Sequence, residues 1–147
     1  MSKIVPLISS GTKGPLGVLH LPRFWQKVSL EAAGKLAEGY PACGMGYDQM
    51  VVDGLGLDKD ETLGYIKRDK PTYPQFEVWV KAHGSKANDA DAISKLNDSI
   101  IAFKHDDATR GSILKASGKL DDGSILDAVN LNNLDDWQEF HAAEIAA

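Results

Sequence analysis

An all-α fold is what this sequence predicts: a single domain of about six or seven short to medium helices behind an irregular N-terminal arm. Three observations lead there. Apolar residues recur at helical rather than strand spacing, capping residues stand just before several of those runs, and no pair of alternating apolar and polar segments offers itself as a sheet. The 147 residues have the length of one ordinary domain. A chain of that size buries enough surface for a real core. The division expected is an arm over residues 1–20 and a helical domain over residues 21–147.

The arm comes first. Gly11, Gly14 and Gly17 recur with Pro6 and Pro15, which favours turns and extended backbone. The Gly-x-x-Gly-x-x-Gly spacing lacks the Gly-Lys-Ser/Thr ending of a phosphate loop and reads as an arm laid over the domain. Pro22 then stands where the first turn of a helix tolerates proline. Leu21, Phe24, Trp25, Val28, Ala32 and Leu36 keep a 3.6-residue period, so a helix is expected over residues 22–38, ended by Gly39.

Shorter helices follow. Asp48 is placed to cap one carrying Met50, Val51, Val52 and Leu55, stopped by Gly54 and Gly56. Asp58 and Glu61 have capping-box spacing with Leu57 as a staple, and Leu63 and Ile66 face inward until Pro71 breaks the helix. Thr72-Tyr73-Pro74 opens the next, with Phe76, Trp79, Val80 and His83 on one face and Gly84 at its end. Asn88 is the expected cap of a longer helix bearing Ile93, Leu96, Ile100 and Phe103, with Lys104 at its negative pole. Asp106 or Asp107 starts another, carrying Ile113 and Leu114 and closed by Gly118.

After a turn at residues 121–124, the run 125–129 reads equally as a helical turn or a strand. Asn130, Asn132 and Asn133 suggest a loop held by side-chain-to-backbone bonds. Asp135, with Gln138 at capping-box spacing, is expected to cap a last helix whose buried stripe is Trp137, Phe140, His141 and Ile145. The three tryptophans, Trp25, Trp79 and Trp137, are expected as core anchors.

Composition removes several functional classes. The net charge is −5, and the nearest thing to a basic cluster, Lys67-Arg68-Asp69-Lys70, reads as a solvated helix end, so no nucleic-acid partner is expected. No stretch reaches the length of a membrane span, and the start of the chain has too short an apolar run for a signal peptide. One cysteine, Cys43, excludes an internal disulfide and fits a reducing compartment. A cytoplasmic protein is the expectation. The four histidines are scattered, so no metal and no cofactor are expected.

Chemistry concentrates between the first two helices. Residues 39–49 hold Gly39, Gly44, Gly46, Tyr40, Tyr47, Pro41, Cys43, Asp48 and Gln49. Cys43 and Asp48 are the candidate catalytic residues: a thiol near a helix start, with His20, His83, His105 or His141 as partner, and an acid able to move a proton. The plainer roles are a buried thiol and a helix N-cap. Arg23, Tyr40, Tyr47 and Gln49 are the candidate binding residues. Arg23 lies at a helix N-terminus, where a cation is unfavourable, and so calls for an anion: Asp48, another acid, or a bound carboxylate or phosphate.

Pro22-Arg23, Gly39-Tyr40-Pro41, Gly46-Tyr47-Asp48-Gln49, Leu55-Gly56-Leu57-Asp58, Val78-Trp79-Val80 and Leu131-Asn132-Asn133-Leu134-Asp135-Asp136-Trp137 occur in that order. This succession resembles a family of small bacterial proteins catalogued as a domain of unknown function. The resemblance runs from Leu21 to Gly84, with a weaker echo from Ile125 to His141. It implies a small, mostly helical fold and no particular reaction, and it draws attention to Arg23, Tyr47 and Asp48.

The functional expectation is a small-molecule-binding domain, with enzymatic activity as an option, whose pocket lies between the first helix and the 39–49 loop and takes a small anionic ligand. The alternative is a non-catalytic interaction module, either a homodimer or an accessory subunit, reaching its partner through the arm or an apolar helix face.

Overall fold

Pro22 lies in the first turn of helix α1 (Leu21–Ala32), and the structure, a computed structural model, describes residues 3–146. α1 ends earlier than the expected Gly39. Gly34 takes up a left-handed backbone (φ 69°), and the Gly34 and Lys35 N–H groups fold back onto the Glu31 and Leu30 carbonyls. This is the bonding that terminates helices at a glycine. Leu36 therefore leaves the helical stripe and forms a parallel bridge with Ile4 of the arm.

Six more helices follow: α2 (Tyr47–Gly54), α3 (Lys59–Asp69), α4 (Tyr73–His83), α5 (Ala90–Ala102), α6 (Asp107–Ala116) and α7 (Ala128–Phe140), then a π turn over His141–Ile145. The all-α expectation holds: among the described residues there are only isolated bridges and no strand. Asp58, Thr72 and Asp106 cap α3, α4 and α6 through their side chains, and Thr72 with Gln75 completes a capping box. Each such cap contributes about 1 kcal/mol. At α5 the cap is Asp89 rather than Asn88, whose side chain donates instead to the Lys81 carbonyl.

The C-terminal region departs most from expectation. Residues 125–129 form no strand; Asp127 caps α7 by accepting from the Asn130 N–H, and the helix begins at Ala128. Asn130, Asn132 and Asn133 are therefore helical, and Asp135 lies within the helix rather than capping it. The α7 residues that are buried are Ala128, Leu131 and Asp136; Trp137, His141 and Ile145 are exposed. The earlier helix start decides this, because it directs Leu131 and Asp136 to the core face.

The core draws on Val18, Leu21, Phe24, Val28, Val51, Val52, Leu55, Ile66, Phe76, Val80, Leu96, Ile100 and Ala128. Phe24 and Phe76 stack at its centre, 6.2 Å between ring centroids. Trp25 and Trp79 pack only against its edge.

The arm is held by polar clasps. The buried Glu77 carboxylate of α4 accepts from the Leu16 N–H (3.1 Å) and the Tyr73 hydroxyl (2.6 Å). Asn97 of α5 accepts from the Leu19 N–H and donates to the Gly17 carbonyl. Gly14 is required here, because a Cβ on it would come within 2.5 Å of Glu77 and of the Tyr73 ring.

Candidate functional site

His20, the residue before α1, and Arg23 and Lys27 on one face of the helix stand at i, i+3 and i+7, and all three are buried. Three long polar side chains on a core face are rare unless paired. Here the pairing is complete, and it organises the site.

Asp48 is the first anchor. It is not the N-cap of α2, which is Gly46, but sits inside the first turn. Its carboxylate accepts from His20 Nε2 (2.6 Å), Lys27 Nζ (2.5 Å) and the Gly44 N–H (2.8 Å). Burial opposes ionisation, but the His20 hydrogen bond and the Lys27 charge outweigh it and hold the carboxyl below the usual carboxylate range. Burial, in turn, lowers the affinity of His20 for a proton. A neutral ring facing a carboxylate must carry its proton on Nε2, so Nδ1 accepts from the Ser10 hydroxyl at 2.9 Å. His20 itself has φ 69°, a left-handed backbone uncommon outside glycine, which turns the chain into α1.

Ser10, His20 and Asp48 are thus linked in the order of a Ser-His-Asp triad. Ser10, however, is fully buried and does not line the adjacent cleft, so no substrate reaches its oxygen in this arrangement.

Asp136 of α7 is the second anchor. It, not Asp48, is the anion that Arg23 requires: the guanidinium donates to both carboxylate oxygens (2.6 and 3.0 Å) and to the Pro6 and Ile8 carbonyls. Tyr40 donates its hydroxyl to Asp136 at 3.2 Å, and its ring lies 6.0 Å from the Arg23 guanidinium carbon. Burial pushes the Asp136 carboxyl up, and the neighbouring Asp135 adds to the effect against the opposing pull of Arg23.

Between these anchors lies a cleft of about 360 Å³, walled by His20, Arg23, Lys27, residues 39–41 and residues 44–48, and by Phe103, His105, Asn132 and Asp135. A larger groove, about 660 Å³, runs between α2 and α5, but its Asp53, Lys86, Asp89, Asp91 and Lys95 are exposed and it meets none of the buried polar cluster. The smaller cleft is the stronger candidate, since buried charges converge on it.

The structure brings Arg23, Tyr40, Tyr47 and Asp48 to this cleft and leaves two candidates outside it. Gln49 donates to Asp53 on the exposed side of α2. Cys43 packs against the core edge, where burial and the Asp48 charge raise its pKa, the reverse of what a nucleophilic thiol needs; no histidine bonds to it. Tyr47 is buried, donates to the Ile100 carbonyl at 2.8 Å and resists ionisation because of burial. Sequence reasoning missed Lys27, Asp136 and Asn132; His105, expected only as one possible partner of Cys43, bonds instead to Asn132 at 2.7 Å. The legible signal was the polar repeat His20–Arg23–Lys27, on the side of α1 opposite Trp25.

Among the described residues, no group of three or more His, Cys, Asp or Glu side chains is placed to hold a metal ion, and no helix is long and apolar enough to cross a membrane. No curated protein matches the sequence. The family model that does match spans residues 9–137, which covers the arm from Ser9, both anchors and every wall of the cleft, and the chain therefore belongs to the domain of unknown function family DUF5069.

Proposed function

We propose that this cleft binds a small carboxylate-bearing molecule that also carries a hydroxyl or amino group. Lys27 is the observation that supports the reading. An ammonium has three donors, and the Lys27 ammonium, buried on the cleft wall, spends one on Asp48. Burying a lysine is unfavourable by several kcal/mol before pairing, and a hydrophobic residue would fill the same space without that penalty. The two remaining donors suit ligand oxygens. Asp48 already balances the Lys27 charge, so the contact rests on the two N–H donors, and a phosphate dianion is disfavoured more than a single carboxylate.

The opposite wall supports the second half of the proposal. Asp135 is half-buried there and accepts no hydrogen bond among the described residues, and the Asn132 amide nitrogen is likewise unspent. A hydroxyl or amine between them would satisfy both. The cleft volume lies within the range of small-molecule sites. Binding without catalysis is the simpler reading, since Asp48 is held as a weak base by three donors and the Cys43 thiol is held protonated.

The test is a thermal-shift and NMR screen of hydroxy- and amino-carboxylates against the full chain, repeated on Asn132→Ala and His105→Ala. Saturable binding weakened about tenfold or more by either change, equivalent to about 1.4 kcal/mol, is the expected result. A panel in which no member stabilises the protein or shifts the amides around Lys27 would overturn the proposal. The interaction-module alternative rests on Trp137 and Ile145, exposed near the end of the chain at 59% and 64%. Light scattering on Trp137→Ser against the parent separates it, because a face that mediates self-association loses the dimer.

A further inference from the structure

The charges around the cleft do not close. Arg23 is matched by the bidentate Asp136, and Lys27 by Asp48. Asp135 of α7 lines the same cleft, half-buried, and has no cation beside it among the described residues. Its charge bears on two neighbours. Burial and the Asp136 charge push the Tyr40 hydroxyl up, and Asp135 pushes it further; at Asp136, burial and then Asp135 raise the carboxyl against Arg23. A cation placed beside Asp135 would relieve both. Hydrogen-bonding capacity points the same way. His105 Nε2 donates to the Asn132 side-chain oxygen at 2.7 Å, so the neutral ring presents Nδ1 as an acceptor, and that atom meets no partner among the described residues. His105 and Asp135 thus bring unmet acceptors to one cleft, with the Asn132 amide nitrogen as an unmet donor. None of these atoms is sealed off. Among the described residues, the side-chain polar atoms that lack both a partner and contact with solvent are the hydroxyl oxygens of Ser29 and Ser117.

We infer that the ligand of this cleft is an amino acid in its zwitterionic form, its ammonium held by Asp135 and His105 Nδ1 and its carboxylate by Lys27 and the Asn132 amide. The inference rests on the carboxylate reading above and narrows it. A hydroxy acid would bring a second uncompensated anion to a cleft that already holds one, and its hydroxyl has a single hydrogen to donate. An ammonium has three N–H donors and offsets Asp135, and hydrogen bonds between charged groups are the stronger kind. The ammonium has no lone pair for the Asn132 amide, but the ligand's carboxylate has enough for that amide and for Lys27. Being neutral overall, the zwitterion adds no net charge to the site.

The experiment titrates the full-length protein, in mildly alkaline buffer, with isosteric pairs followed by backbone amide NMR: alanine with lactate, serine with glycerate, and valine with its hydroxy-acid analogue. Within each pair an ammonium replaces a hydroxyl at the same carbon. In at least one pair the amino member should bind about tenfold tighter or more, with saturable shifts at Lys27, Asn132 and Asp135. Asp135→Asn keeps the shape of the side chain and removes its charge, and should abolish the preference. Asp98→Asn makes the same change of net charge at an exposed position of α5 and should leave it intact. Hydroxy acids bound by the parent as tightly as their amino partners overturn the inference and leave the carboxylate reading standing. So does an amino preference that survives in Asp135→Asn, or one lost equally in Asp98→Asn. Saturable binding by no member of any pair overturns the inference together with that reading.

Discussion

Asp48 and Asp136 both reach α1 cations from distant segments, each accepts three hydrogen bonds and burial opposes the charge of both, yet the first is held below the ordinary carboxylate range and the second above it. Donor count does not separate them. Asp48 occupies the first turn of α2, where the helix dipole favours a negative charge, and its neighbours are a lysine, a histidine and a backbone amide. At Asp136 burial is the largest effect and outweighs the hydrogen bonds and charge of Arg23, and Asp135 beside it adds to the rise. Two buried acids with the same number of bonds thus differ in how far their donors and cations offset burial and in whether another acid flanks them.

The largest effect expected from that contrast is on stability. Asp48→Ala strands Lys27 and removes the acceptor of His20, and should cost about 3–5 kcal/mol, the range for an orphaned buried charge. Asp136→Ala leaves Arg23 with the Pro6 and Ile8 carbonyls and should cost less, closer to about 3 kcal/mol. Urea denaturation of both variants gives the order, and a larger loss at Asp136 would break the comparison.

The pH dependence sharpens it. Burial places the folded His20 pKa below its unfolded value of about 6.5, so the unfolded chain binds the extra proton. Stability should therefore fall as pH drops below about 6.5, and His20→Gln should flatten that slope. Asp48, also depressed in the fold, adds a further loss as pH falls through the acid range below about 4, whereas the raised Asp136 acts in the opposite sense. Denaturation midpoints across pH 4–7 for parent and His20→Gln check the sign.

Tyr40→Phe should be the mildest change. It removes one 3.2 Å bond to Asp136 at a half-buried position and should cost about 1 kcal/mol or less in a thermal melt. A cost approaching that of Asp136→Ala would mean that Tyr40, rather than Arg23, governs the second anchor.

The helices were legible where cap and stripe agreed, as at Asp58 with Ile66 and at Thr72 with Phe76. They were misread where asparagines suggested a loop. Asn130 bonds back to Asp127 and serves a helix start, and a spacing of three from Asp127 was present in the sequence but shared by Asp135 and Gln138. In the site, the 39–49 glycines and tyrosines marked one wall of the cleft. The partners were out of reach, because Arg23 and Asp136 are 113 residues apart and no local pattern links them. Lys27 escaped for a different reason: α1 was read through its apolar stripe, and the polar repeat on the other face was left unread.

Arg23 grips Pro6 and Ile8 near one terminus and Asp136 near the other, all from a single guanidinium. The arm and α7 are thereby riveted to each other through α1. Losing Asp136 would leave the arm on the Arg23–carbonyl bonds and its Glu77 and Asn97 clasps, and losing the arm would leave Arg23 paired with Asp136 alone, so each segment gives up one support when the other goes.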